Sequence, residues 1–211
     1  MKQELSRRKM LKASACFPFG ITSMTLFPNP IKETGDQNSP LPNVFGSRPG
    51  YSTQMSILVS MMDWMRNVVV REVSGMSTKD LDYLHDSDSN SVGAMLMHLG
   101  ATERFYQIHT FENRSWGDWD KKDADKWNIP SGLGGKARAT IKGNSAQYYI
   151  DEISQVREHT LSELKKQDDG WLLKPDNEWF WGPTNNWCKW FHVVEHESNH
   201  NGQIKWLKGR M

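Results

Sequence analysis

The run Phe191-His192-Val193-Val194-Glu195-His196-Glu197-Ser198-Asn199-His200-Asn201-Gly202-Gln203-Ile204 places three histidines at steps of four residues. Four residues is about one turn of an α-helix, so His196 and His200 stand one above the other on one face. Trp187, Phe191, Val194, Ile204 and Leu207 supply the apolar side of the same helix, predicted to run from near Thr184, its cap, to about Lys208. Imidazole is the commonest protein ligand for transition metals, and two on one helix face can grip one ion. His192 and His196 are equally well spaced, so spacing alone leaves the choice of pair open.

Three more amphipathic segments precede this one. The first spans Tyr51 to Val73, with Ser52 or Thr53 as its cap and Ile57, Met61, Trp64, Met65 and Val68 as its apolar stripe. Its methionines read as core filling. The second begins near Ser89 or Ser91 and runs to Glu112, carrying Val92, Met95, Leu96, Leu99, Phe105 and Ile108, with His98 beside that stripe. The third covers Ser145 to Gln167, with Tyr149, Ile153, Val156, Leu161 and Leu164 as its buried face, and Asp168-Asp169-Gly170 stops it. The stretch Asn113–Asn144 is long, polar and glycine-rich; it reads as a loop, serving either as a lid over a site or as a plain crossover. No alternating strand pattern and no internal repeat stands out. The predicted fold class is therefore all-α, a four-helix bundle with a long loop between helices two and three that lets those two run the same way. The tryptophans between Trp171 and Trp190 either wall an apolar pocket or pack the bundle end.

The chain has 211 residues, 37% of them hydrophobic and 24% charged, which suits one globular domain with an appendage. A formal net charge of +1 gives no electrostatic ground for a nucleic-acid partner. Two cysteines, Cys16 and Cys188, imply no disulfide framework. At the start, Ser6-Arg7-Arg8-Lys9-Met10-Leu11-Lys12 precedes a mainly apolar run from Ala13 to Phe27. That order of charge and apolarity is the layout of an export signal and resembles the twin-arginine type, with Met10 where Phe is usual. Residues 1–30 are accordingly assigned to a signal, 31–50 to a linker and 51–211 to the bundle. The expected location is periplasmic, with a cytoplasmic protein bearing a basic tail as the alternative. The apolar run is short for a membrane span and contains Pro18 and Gly20, so no stable span is expected after signal removal.

The segment His196-Glu197-Ser198-Asn199-His200 is formally H-E-x-x-H, yet only a short tail follows it in which a further zinc-protease ligand could sit. Taken with Asn201-Gly202-Gln203-Ile204, and with Met97-His98-Leu99 and Glu103 in the second helix, it resembles instead the DinB/YfiT-like family of metal-dependent enzymes. The resemblance covers about Gln54 to Lys208. It implies an up-down-down-up four-helix bundle in which His98, His196 and His200 hold a divalent metal, zinc or nickel, at an open site. His192 and Gln203 would then support the ligands. Relatives of this kind use low-molecular-weight thiols as cofactors, and an ion there would acidify a bound thiol. Two reactions on a small-molecule substrate are compatible with the site: transfer to a thiol, and hydrolysis, for which Glu103, Glu195 and Glu197 are the base candidates. A non-catalytic small-ligand-binding bundle, with a structural metal or none, is the reading from another class. A homodimer through exposed helix faces is compatible with all of these.

Overall fold

The structure is a computed structural model that describes residues 44–211. The export-signal reading of residues 1–30, and with it the expected location, falls outside the described residues, as does most of the proposed linker. Its described end, residues 44–50, is non-helical and fastened to the bundle through Arg48, whose backbone N–H donates to Ser56 and whose Nε donates to Ser60.

The chain forms, in order, α1 (Thr53–Val73), α2 (Thr78–Leu81), α3 (Val92–Thr110), α4 (Lys121–Gly132), α5 (Gly134–Thr140), α6 (Ala146–Leu164), α7 (Asp169–Leu173), β1 (Pro175–Asp176), β2 (Thr184–Asn185) and α8 (Asn186–Lys208). The four long helices, α1, α3, α6 and α8, make an all-α bundle. Side-chain contacts fix their directions. Gln54 meets Trp187 where α1 and α8 begin, and Glu72 meets Lys208 where they end, so these two run parallel. On α3 and α6, Glu103 pairs with Arg157 and Gln107 with Thr160, also in parallel. Across α3 and α8, Thr102 faces His196 and Tyr106 faces His192, which is antiparallel. The order is up-down-down-up, as the resemblance implied.

Local chemistry explains the ends of the helices. Ser91, Ser145 and Asn185 cap α3, α6 and α8 by accepting the N–H groups of Ala94, Tyr148 and Cys188. Asn185, not Thr184, is thus the cap of the last helix. Ser52 precedes α1 without capping it by its side chain; Asp169 Oδ1 takes that role from across the bundle, accepting from Gln54 N–H and Met55 N–H. A carboxylate at an N-terminus also complements the helix dipole there.

Three further readings need correction. The predicted stripe of α1 holds only in part: Ile57 and Trp64 are exposed and Met61 and Val68 half-buried, while Met65 joins Met55, Leu58, Val59, Met62, Val69 and Val73 in the core face. This helix is apolar on both sides, so periodicity admits either face, and Met65 lies where the two stripes meet. Phe191 on α8 is likewise exposed, and Trp190 and Val193 fill the core beside it. The stretch Asn113–Asn144 is not a bare loop, because it holds α4 and α5. Pro130 and Gly132 within α4, and Gly134-Gly135 opening α5, argue against helix in the sequence. Burial of Trp127, Pro130 and Ala137 offsets that local reluctance. Trp127 lies over Gly100 of α3, where an added Cβ would come within 3.0 Å of its ring. Gly100 thus lets α4 dock flat against α3. The Trp171–Trp190 region divides: Trp179 and Trp190 are buried, while Trp181 and Phe180 are exposed at the tip of the two-stranded hairpin.

Candidate metal centre

The groove between α3 and α8 gathers His98, His196 and His200. One nitrogen from each lies within 4.8 Å of those of the other two. Ring centroids are 5.0 Å apart for His98–His196, 5.1 Å for His98–His200 and 4.6 Å for His196–His200. The i, i+4 spacing on α8 stacks two of the rings, and antiparallel α3 brings the third to meet them.

Two of the rings are held from behind. His98 Nδ1–H donates to the backbone carbonyl of Pro130 at 2.9 Å, which leaves Nε2 free to face the cluster. His200 Nδ1–H donates to Gln203 Oε1 at 3.2 Å, and Gln203 Nε2 donates in turn to Asn199. His196 Nε2 lies 3.4 Å from the Thr102 hydroxyl. All three imidazoles are held neutral. Burial is the main cause, pushing His196 down to about 3 and His200 to about 4, with the neighbouring imidazoles adding to it. His98 is lowered by burial too, against the opposing effect of its hydrogen bonds to the backbone at Pro130 and Ser131. Neutral imidazoles with converging nitrogens, two of them oriented through Nδ1, are what a divalent ion requires, so the donor set fits one.

The other residues singled out in the sequence fall in different places. His192 stands outside the cluster, one turn before His196. Its Nδ1 accepts from the Tyr106 hydroxyl at 2.7 Å, and its ring packs on Trp181. Glu195 is half-exposed, its carboxylate 3.9 Å from His192 Nε2. Glu103 and Glu197 are buried inside the bundle. Glu103 accepts from Arg157 at 2.7 and 3.0 Å, from Arg66 at 2.8 Å and from Thr160 at 2.6 Å. Glu197 Oε1 accepts from Arg66 at 2.5 and 2.8 Å and from Arg157 at 2.9 Å. Each long helix contributes one charge to this cluster: Arg66 from α1, Glu103 from α3, Arg157 from α6 and Glu197 from α8. Burial alone would push the Glu103 carboxyl up, but Arg157 and Arg66 outweigh it and hold the group below the ordinary range.

Sequence reasoning missed Pro130, Thr102, Tyr106, Arg66 and Arg157. The only signal for the arginines was their place in otherwise apolar helix faces. Pro130 carried none, since its part is played by a backbone carbonyl in a segment read as loop. Among the described residues no helix is long and apolar enough to cross a membrane.

An all-α, up-down-down-up bundle with three imidazoles converging from its α3 and α8 helices is the architecture of a DinB-like protein. A family model described as MST, Mycothiol-S-transferase, matches residues 57–211, and the chain belongs to that family. No curated protein matches the chain.

Proposed function

We propose that this protein is a metal-dependent thiol S-transferase that joins a low-molecular-weight thiol of the mycothiol kind to a small electrophile, with His98, His196 and His200 as the ligands of a zinc or nickel ion. The observation that carries the reading is the convergence of those three neutral imidazoles in a chain of the mycothiol-S-transferase family. When bound, a divalent ion at such a centre lowers the pKa of a thiol that reaches it, so the sulfur is available as thiolate.

The chain's own residues supply the rest. Pro130 and Gln203 orient two of the rings, and burial keeps all three unprotonated. Three protein ligands leave room for an exogenous one, the pattern of a catalytic rather than a structural site. Transfer by a thiolate needs no separate carboxylate base. That agrees with the surroundings of the carboxylates, since Glu103 and Glu197 are engaged with Arg66 and Arg157 and Glu195 lies at the surface. Hydrolysis would need one of them free and aimed into the groove.

The test compares wild type with the His98→Ala/His200→Ala double variant. Elemental analysis of tag-free protein should find near-stoichiometric zinc or nickel in the wild type and none in the variant. Conjugation of mycothiol to 1-chloro-2,4-dinitrobenzene, followed by absorbance, should vanish with the metal. Wild-type protein that takes up neither ion on incubation would sink the proposal.

A further inference from the structure

His192 stands beside the histidine cluster yet makes no hydrogen bond to any of its three members. It precedes His196 by one turn of α8, and the two ring centroids lie 5.5 Å apart. Its Nδ1 meets the Tyr106 hydroxyl of α3 at 2.7 Å. Tyr106 is fully buried, with its ring against Trp116, Trp179 and Trp190. Burial pushes its hydroxyl pKa well up, so the oxygen keeps its proton. A buried hydroxyl proton has to find an acceptor, and His192 Nδ1 is its hydrogen-bond partner among the described residues.

That bond decides the tautomer. An Nδ1 that accepts carries no proton, so the proton of the imidazole sits on Nε2. The side chain is 37% exposed; with its Nδ1 edge turned to the core, the Nε2 edge is the one that looks out. No carboxylate takes up this N–H, since Glu195, half-exposed, stands 3.9 Å from it, beyond hydrogen-bonding distance. Trp181, at the hairpin tip, crosses the ring at a centroid distance of 5.5 Å and screens it from water on one side. A donor held from behind, without a partner of its own and one turn from a metal centre, suits the place where negative charge develops during a reaction.

We propose that His192 Nε2–H is a catalytic donor to an oxygen of the electrophile, with Tyr106 as its positioning residue, and that it favours electrophiles whose attacked carbon is conjugated to that oxygen. The proposal rests on the thiol-transfer reading of the histidine centre and adds to it a residue and a selectivity. With an α,β-unsaturated ketone, the thiolate sulfur forms a bond to the β carbon, the carbon–carbon π bond breaks, and its electron pair passes to the carbonyl oxygen, where His192 donates. A proton from water then goes to the α carbon and the carbonyl re-forms. The thiol's own proton has gone to water beforehand, so the sum is an addition in which nothing is oxidised or reduced. With a benzyl halide the electron pair leaves on the halide, no oxygen gains charge, and the donor has nothing to stabilise.

The experiment uses zinc-loaded full-length protein and mycothiol, with methyl vinyl ketone and benzyl chloride as electrophiles, and rates are taken over the uncatalysed ones. Removing an oxyanion donor costs about a hundredfold or more in a closed site; His192 is partly exposed, so His192→Phe should lower kcat for the ketone by about tenfold, with KM, zinc content and the benzyl chloride rate unchanged. Tyr106→Phe should lower the same kcat by about threefold. Glu195→Gln, which removes a negative charge beside the developing one, should raise it by about twofold. A second readout needs no turnover. In metal-free protein 4-nitrophenolate stands in for the enolate oxygen; it should move the His192 Nε2–H proton resonance downfield and bind about fivefold more weakly to His192→Phe. Equal losses for both electrophiles in His192→Phe, or loss of zinc, would make His192 a support of the ligands and overturn the proposal. An unchanged ketone rate overturns it too, as does a His192 resonance indifferent to phenolate. A collapse of the ketone rate in Glu195→Gln would make Glu195 the working group instead. If wild type conjugates neither electrophile, the thiol-transfer reading falls and takes this proposal with it.

Discussion

Replacing Arg157 by methionine tests the buried charge cluster most directly. Arg157 donates to Glu103 at 2.7 and 3.0 Å, to Glu197 at 2.9 Å and to the Met62 carbonyl at 2.8 Å, and it is 5% exposed. Methionine keeps much of the side-chain volume but turns a balanced cluster into one with an excess negative charge away from water. Removing one partner of a buried pair costs about 3–5 kcal/mol, against about 0–1 kcal/mol for an exposed pair. Arg66 still donates to both carboxylates, which places the expected loss near the lower limit, about 3 kcal/mol. For a protein of this size that is a fall in Tm of roughly 6–12 °C. The loss should depend on pH. In the wild type Glu103 is held below its ordinary range, so its contribution is present above the unfolded carboxyl pKa and is lost as pH falls through the folded one. Without Arg157 burial dominates and the carboxyl pKa rises, so lowering the pH neutralises the excess charge and narrows the gap to wild type. Urea unfolding followed by circular dichroism at pH 7.5 and 5.5 measures both effects. The double variant Arg157→Met/Glu103→Gln restores charge balance and should be more stable than the single one. A single-variant loss under about 1 kcal/mol, or a double variant no better than the single, would refute the reasoning.

Other changes have equally definite outcomes. Gly202→Ala should raise stability by about 1 kcal/mol in the same unfolding assay, since it relieves a helix-interior glycine with open space around it; a loss would mean that the position is tighter than it looks. Trp127→Ala should cost about 3–5 kcal/mol as a buried aromatic truncation. It should also weaken metal binding by roughly tenfold in a chelator competition, because α4 no longer holds the Pro130 carbonyl against His98; unchanged metal affinity would detach α4 from the centre. The imidazoles of His196 and His200 are pushed down to about 3 and 4, mainly by burial, so protons compete for them only well below the usual range. Metal retention on dialysis should therefore be the same at pH 6.5 as at pH 7.5, with release beginning at roughly pH 5 or lower. Half-loss near pH 6.5 would contradict it. In metal-free protein the sign is the same. The folded pKa values lie below the ordinary 6.5, so these histidines leave stability intact above that pH and erode it as pH falls toward 4.

What could be read in the sequence followed from local periodicity. The spacing of His192, His196 and His200 marked the last helix and offered two equally good pairs of imidazoles, and the glycine-rich punctuation separated the long helices; the family resemblance chose His196 and His200. His98 needed the family resemblance, because a single histidine beside an apolar stripe has no local signature. The face of α1 went astray where apolar residues occupy both sides, since Met55, Leu58 and Met62 are buried and Ile57 and Trp64 are not. There the packing of α6 and α8 decides, and that information lies far along the chain: Arg66 meets Ile153 across 87 residues and Glu197 across 131. The helix α4 was hidden because tertiary burial of Trp127 outweighs the poor propensities of Pro130 and Gly132. Glu103 and Glu197 read in the sequence as base candidates and Arg66 and Arg157 as lone charges in apolar helix faces; only their meeting across four helices pairs them.

That meeting bears directly on the histidine cluster. Glu197 follows His196 on α8, and Glu103 follows Thr102 on α3. Successive helical residues point about 100° apart, so a carboxylate aimed into the core fixes where its neighbour on the groove side must aim. A core of Met, Leu and Val alone would allow each helix to rotate or slide by small amounts, since such side chains repack at little cost. A bidentate arginine pair does not, because its hydrogen bonds are directional and the groups that make them are buried. Arg66 and Arg157 each grip both carboxylates. They therefore lock the rotation of α3 against that of α8, and the gap between His98 and the His196–His200 pair is set by the same lock. Apolar residues of equal volume could match the cluster in stability, but they would supply no directional contact between α3 and α8. The buried charges thus tie α3 to α8 in one orientation beside the histidine cluster, whatever they add to the bundle's stability.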